Sequence, residues 1–197
     1  MTALPDDPTA PLDLARFGAD GRALGEDDFA ARHGHAFLLH HGNLDPTRKP
    51  AQPQPTMVMG RGILPSEVGG APGSDVPGRK RSDSMNAMGA LRVYPVKHTG
   101  RSPFPRIVTV GRTKNNDIVL ADISISKFHA FFKEEGGQFF LADGESRNGT
   151  FVENERAMPT KQGKPTLLKS GVRVKFGAVE FRFIDVKELL VLVRQFG

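Results

Sequence analysis

From Leu91 onward the chain sets short apolar runs between polar and turn residues: "LRVYPVKH", "RIVTVG", "DIVL", "HAFFKEE", "QFFLAD", "TFV", "VRVKFG" and "VEFRFID". Several short runs at this spacing, bounded by Gly, Asn, Asp and Ser, predict an all-β sandwich or barrel. The last pair is the clearest. Val172, Val174 and Phe176 alternate with Arg173 and Lys175, and after Gly177-Ala178 the order resumes with Val179, Phe181 and Phe183 against Glu180 and Arg182. A period of two on either side of a two-residue break predicts a hairpin with one face in the core and the other in solvent. The period then changes. Val186, Leu189, Leu190, Val193 and Phe196 fall on one helical stripe, predicting a short C-terminal helix over 186–197, packed on the sandwich or on the N-terminal segment.

The first ninety residues have a different texture. Pro46, Pro50, Pro53, Pro55, Pro65, Pro72 and Pro77, interleaved with glycines, mark 44–90 as a linker too poor in large apolar side chains to offset its ordering entropy. Ahead of it, "DDFAARHGHAFLLHHG" predicts a short helix around Asp28 to Arg32 and a strand around Ala36 to His40. Residues 1–43 read as a small accessory segment without a core of its own. The expected organisation is 1–43 accessory, 44–90 linker, 91–185 sandwich and 186–197 helix, with a largely flexible N-terminal extension.

Composition narrows the chemistry. With no cysteine, the chain has no disulfide, thiolate nucleophile or Cys-ligated metal. The N-terminus is acidic and Pro-rich where a signal peptide needs a basic start and an apolar run, and no apolar stretch is long enough to span a bilayer. The expectation is a cytoplasmic protein without membrane contact. The net charge of +5 is spread along the chain, with "GRKRS" at 78–82 as its one cluster, and there is no concentrated basic face with stacking aromatics for nucleic acid. That cluster reads as solvated linker, and Ser82 or Ser84 beside it is a candidate kinase site.

Two polar loops stand out, "RTKNNDIVLADISISKFHA" over 112–130 and "DGESRNGTF" over 143–151. They hold Gly111-Arg112, Ser126-Lys127-Phe128-His129 and Asn148-Gly149-Thr150 in that order. With "NDIVL" and the closing "LKSGVRVKFG", these resemble the forkhead-associated (FHA) domain, whose pattern is Gly-Arg, Ser-x-x-His, Asn-Gly-Thr; the resemblance covers roughly 92–184.

The residue types support this directly. A phosphate dianion is matched by the planar, always-charged fork of an arginine, here Arg112. Ser126 offers a hydroxyl and a backbone N–H without bulk. Asn148 carries an acceptor and two donors on a short side chain, suited to the main chain of an extended peptide, and Gly149 permits a tight turn or positive φ. The resemblance implies more: an FHA-type β-sandwich that reads phosphothreonine, with Arg112, Ser126, Lys127 and Arg147 at the phosphate, Asn148 on peptide backbone, and Gly111, His129, Gly149 and Thr150 shaping the loops. One departure is Glu153-Asn154, where the family often has Asn-Gly in a hairpin turn.

Competing readings are weaker. Ser126 and His129 lack an oriented acid and a nucleophile-elbow context, so His129 reads as structural and no catalytic residue is assigned. His33, His35, His40 and His41 match no metal-ligand spacing, and no cofactor or metal is expected. The expected function is therefore a non-enzymatic phosphothreonine-peptide adaptor in Ser/Thr kinase signalling; the alternative is a phospho-independent scaffold on an FHA-like fold. The expected partner is a phosphothreonine protein such as a Ser/Thr kinase or its substrate. Self-binding of the linker, phosphorylated at Thr47 or Thr56, is a further expectation, since its length gives it the reach.

Overall fold

Strands form where the sequence alternates, and two sheets result. The computed structural model describes residues 12–42, 44, 91–157, 159 and 163–196. The linker expectations, Thr47, Thr56, Ser82 and Ser84 included, lie outside the described residues. In chain order the strands are β1 (Leu12–Asp13), β2 (Ala36–His41), β3 (Leu91–Pro95), β4 (Val108–Gly111), β5 (Ile118–Val119), β6 (Ala130–Glu135), β7 (Gln138–Asp143), β8 (Thr150–Val152), β9 (Glu155–Arg156), β10 (Thr166–Leu168), β11 (Arg173–Phe176) and β12 (Val179–Asp185). The helices are α1 (Gly18–Ala23), α2 (Glu26–His33) and α3 (Val186–Phe196), with a 3-10 turn at Leu14–Phe17. A seven-stranded sheet in the order β1-β3-β2-β12-β11-β8-β9 faces a five-stranded sheet in the order β10-β7-β6-β4-β5. Only β4 and β5 run parallel among these pairings.

The predicted hairpin is β11–β12, with Val174 opposite Phe181 and Phe176 opposite Val179. These four side chains are buried with Phe132, Leu141, Val110 and Phe183 between the sheets, while Arg173, Glu180 and Arg182 face out. The alternation stops at Ile184, which is buried on the opposite side of the sheet among Phe17, Phe29, Phe37, Leu189, Leu190 and Val193. The helices cover that face, so both faces of the sheet are apolar there.

The N-terminal segment completes this arrangement. Over 12–42 the extension is folded: β2 lies between β3 and β12, pairing Leu38 with Tyr94 and with Phe183. Its run Ala36-Phe37-Leu38-Leu39 is buried throughout, with Ala36 and Leu38 in the inter-sheet core and Phe37 and Leu39 under the helices. An unbroken apolar run is the signature of a strand covered on both faces. The segment read as accessory is thus a central strand of the larger sheet, brought to its partner β3 from across the linker. The helix α3 packs against both the sandwich and the N-terminal helices, and Arg194 Nε donates to the Gly21 carbonyl at 3.0 Å. Phe196, expected on the buried stripe, is 55% exposed at the last position of the helix. Among the described residues no helix is long and apolar enough to cross a membrane.

Leu38 and Phe37 are both fully buried, one on each face of β2. Leu38→Ala and Phe37→Ala should each lower unfolding free energy by roughly 2–5 kcal/mol in urea titrations of the full chain. Losses below about 0.5 kcal/mol for both would mean that the segment is a separable appendage.

Candidate functional site

The site is built at one end of the sandwich, where the chain leaves β4 at Gly111. Two backbone bonds clamp the loop that follows β5 to this strand end: the N–H of His129 donates to the Val110 carbonyl at 2.8 Å and that of Arg112 to the Ser126 carbonyl at 3.0 Å. The approach is close enough that a Cβ on Gly111 would lie 2.2 Å from the Lys127 carbonyl oxygen, so glycine is the residue this packing admits. The same oxygen accepts Asn116 Nδ2 at 2.7 Å and Thr113 Oγ1 at 2.9 Å, fixing the backbone of Lys127 while its side chain stays exposed. Below, the buried Asp117 carboxylate accepts the N–H and hydroxyl of both Thr99 and Thr109 at 2.8–3.0 Å. Burial alone would raise its pKa; these hydrogen bonds more than reverse that and hold it below the ordinary value.

The second loop joins β7 to β8 and is organised by Asp143. Its buried carboxylate accepts Ser146 Oγ at 2.6 Å, Ser146 N–H at 3.0 Å and Thr150 Oγ1 at 2.7 Å. Gly149 adopts φ +78°, the left-handed conformation that its sequence position allows for. His129 connects the two loops. Its Nδ1 accepts the Ser126 N–H at 3.0 Å, so the ring proton sits on Nε2, which donates to the Gly149 carbonyl at 3.2 Å. Burial lowers the imidazole below its ordinary value of 6.5, an effect only partly opposed by the Gly149 carbonyl and the Asp143 carboxylate. Neither nitrogen addresses the Ser126 hydroxyl, which instead accepts the Arg147 N–H at 3.1 Å. A nucleophile–base pair is therefore not formed.

All the residues expected at phosphate or peptide converge: Arg112, Ser126, Lys127, Arg147 and Asn148 line one cavity of about 390 Å³, together with Ile123, Ser124 and Ile125. Among the described residues, no carboxylate pairs with the side chains of Arg112, Lys127 or Arg147. Asn148 Nδ2 donates to the Ser124 carbonyl at 2.7 Å, leaving Oδ1 and the second amide hydrogen for a ligand. Gly111, His129, Gly149 and Thr150 lie behind the cavity, in the loop scaffold. The sequence reading missed Asp122, Ser124 and Asp143. Their signal is the spacing Asp-x-Ser at 122–124 and Asp-x-x-Ser at 143–146, where a short acid caps the N–H and hydroxyl that follow it. Among the described residues no group of His, Cys, Asp and Glu is arranged to hold a metal ion.

Fold and site together define a β-sandwich whose end loops bring three cations and an amide to one cavity. Residues 108–177 match the family model for the FHA domain. It is similar to the oxoglutarate dehydrogenase inhibitor of Corynebacterium diphtheriae, 35% identical over 77 residues covering 39% of this chain and 50% of that protein. It is also similar to the glycogen accumulation regulator GarA of Mycolicibacterium smegmatis, 34% identical over 76 residues covering 39% of this chain and 44% of the relative. The chain thus spans about half the length of the curated relatives it matches. Among solved structures it is similar to Mycobacterium tuberculosis EmbR in complex with a low-affinity phosphopeptide, 29% identical with a TM-score of 0.36, covering 40% of this chain and 20% of that one.

The linkage of His129 has a measurable consequence. Above about pH 6.5 the ring is neutral in folded and unfolded chains, and its contribution to stability is complete. Below that pH the unfolded chain takes up the proton first, so stability is lost as pH falls toward the depressed folded value. Urea titrations from about pH 7.5 down to about pH 5 should show this loss in the native protein and a shallower one in His129→Gln. Parallel profiles would contradict a neutral bridging imidazole.

Proposed function

We propose that this chain is a phosphothreonine-peptide-binding adaptor in Ser/Thr kinase signalling, with binding and not catalysis as its activity. The observation that carries the reading is the convergence of Arg112, Ser126, Lys127, Arg147 and Asn148 on one cavity with three cations that no carboxylate neutralises among the described residues. A phosphate monoester near neutral pH carries close to two negative charges and three acceptor oxygens, which suits such a site. Arg112 supplies the planar fork, Ser126 a hydroxyl already oriented by the Arg147 N–H, and Lys127 and Arg147 flanking charge. Asn148 meets the peptide main chain through Oδ1 and its remaining N–H, and so favours an extended segment. The names of the relatives, an inhibitor and a regulator, support a regulatory role. The partner on this reading is a phosphothreonine protein, a kinase or a kinase substrate.

Arg112→Ala should weaken a phosphothreonine peptide by at least about tenfold, since a charge-assisted hydrogen bond is typically ~1.5–3 kcal/mol and the fork can make two. Calorimetry on a variant shown to be folded checks it; unchanged affinity removes the site from the reading. Replacing phosphothreonine by phosphoserine in the same peptide should cost about 1 kcal/mol through the lost methyl and its restricted rotamer. Equal affinities would show that threonine is not selected.

A further inference from the structure

We infer that Ser124 is a positioning residue that sets the orientation of the Asn148 amide, a role that rests on the peptide-binding reading above. The Ser124 carbonyl is the acceptor for Asn148 Nδ2 at 2.7 Å. The residue that carries this carbonyl is itself held by three bonds. The Ser124 hydroxyl donates to Asp122 Oδ1 at 2.6 Å, the Ser124 N–H donates to the same oxygen at 2.8 Å, and the hydroxyl accepts the Ala178 N–H at 3.0 Å. Ser124 and Asp122 are both buried, 3% and 4% exposed, so these bonds are not exchanged for water.

The turn between β11 and β12 closes the other side. Gly177 has φ +59°, and a Cβ there would stand 2.5 Å from the Ser124 carbonyl oxygen and 2.9 Å from its carbon and hydroxyl oxygen. The carbonyl is therefore confined between a glycine of the larger sheet and the amide of Asn148. An asparagine amide has two orientations related by a flip, and the flipped one would set Oδ1 against a carbonyl oxygen, acceptor against acceptor. Ser124 thus selects the orientation that presents Oδ1 and one N–H outward, the donor–acceptor pair that an extended main chain matches. Removing the hydroxyl loses its bonds to Asp122 and Ala178, which hold the Ser124 backbone in place, and lets the amide sample both orientations.

The test is a double-mutant cycle in the full chain with a phosphothreonine peptide. Ser124→Ala should weaken binding by roughly three- to tenfold, the scale of one lost hydrogen bond. Ser124→Thr, which keeps the hydroxyl, should restore it, and Ser124→Ala in an Asn148→Ala background should add nothing. Equal losses in both backgrounds, or no rescue by threonine, overturn the inference. NMR of the unliganded protein gives a second reading that needs no peptide: the Asn148 side-chain amide resonances should shift and exchange faster in Ser124→Ala, with the Arg112 Nε resonance unmoved. An unmoved Asn148 amide overturns the positioning role even where the peptide binds, whereas a native chain without phosphopeptide affinity overturns the function and leaves the amide spectrum to decide this role. Should Ser124→Ala not fold, Ser124→Cys, a weak donor of similar size in a chain with no other cysteine, carries the same readouts.

Discussion

The two loops of the site have no ladder bonding to each other, and the neutral imidazole of His129 supplies what the sheets cannot. It reaches from the Ser126 N–H on one side to the Gly149 carbonyl on the other, and the Gly149 carbonyl also accepts the N–H of Gly177 at 3.0 Å. Three segments meet at that oxygen, from the loop before β6, the start of β8 and the β11–β12 turn. The ring is fully buried and stands edge-on to Phe176 at 5.8 Å, so no water competes for either nitrogen. Ser126 and Asn148 keep their places relative to one another through this bridge, and the spacing of the groups at the cavity follows from it.

The way the loops are anchored also explains why the cavity keeps its charge. Asp117, Asp122 and Asp143 are buried beneath it at 2%, 4% and 1% exposure, each accepting bonds from threonine or serine hydroxyls and backbone N–H groups, with His98 Nδ1 also 3.1 Å from Asp117. Short neutral donors do this well because several fit around one carboxylate without bulk. Had the loops been tied by arginine or lysine, the cations would have been consumed inside the scaffold. Instead Arg112, Lys127 and Arg147 remain at the cavity.

Much of this was legible in the chain. The β11–β12 hairpin follows from an alternation with a single solution, because shifting Val174 or Phe181 by one residue would expose the whole apolar set. The meeting of Arg112, Ser126 and Asn148 at one cavity was legible because their motifs stand on strand ends whose spacing brings the loops to one end of the sandwich. The place of β2 was not, since "AFLL" is compatible with any buried element and its partner β3 lies beyond the linker. Ser124 and Asp122 were equally obscure: an Asp-x-Ser triplet has a local meaning in many loops, and only the approach of Gly177 from the other end of the sequence gives it a distant one.

The departure at Glu153-Asn154 shows how firmly the surrounding strands impose their geometry. Both residues take positive φ, +48° and +75°, the two-residue turn whose twist matches the strands it joins. Asn tolerates this conformation, but a glutamate there is strained. The compensation comes from the neighbouring strand: the Glu153 carboxylate accepts the Arg173 N–H at 2.6 Å and faces its guanidinium at 3.4 Å. The same N–H, opposed in part by desolvation and helped by the guanidinium, holds this carboxyl below its ordinary range. Turn and strand therefore fix the register of β8 on β11, with Val152 opposite Val174 and Thr150 opposite Phe176. Since β8 begins directly after Asn148 and Gly149, a hairpin turn at its far end helps determine where the Asn148 amide stands at the cavity.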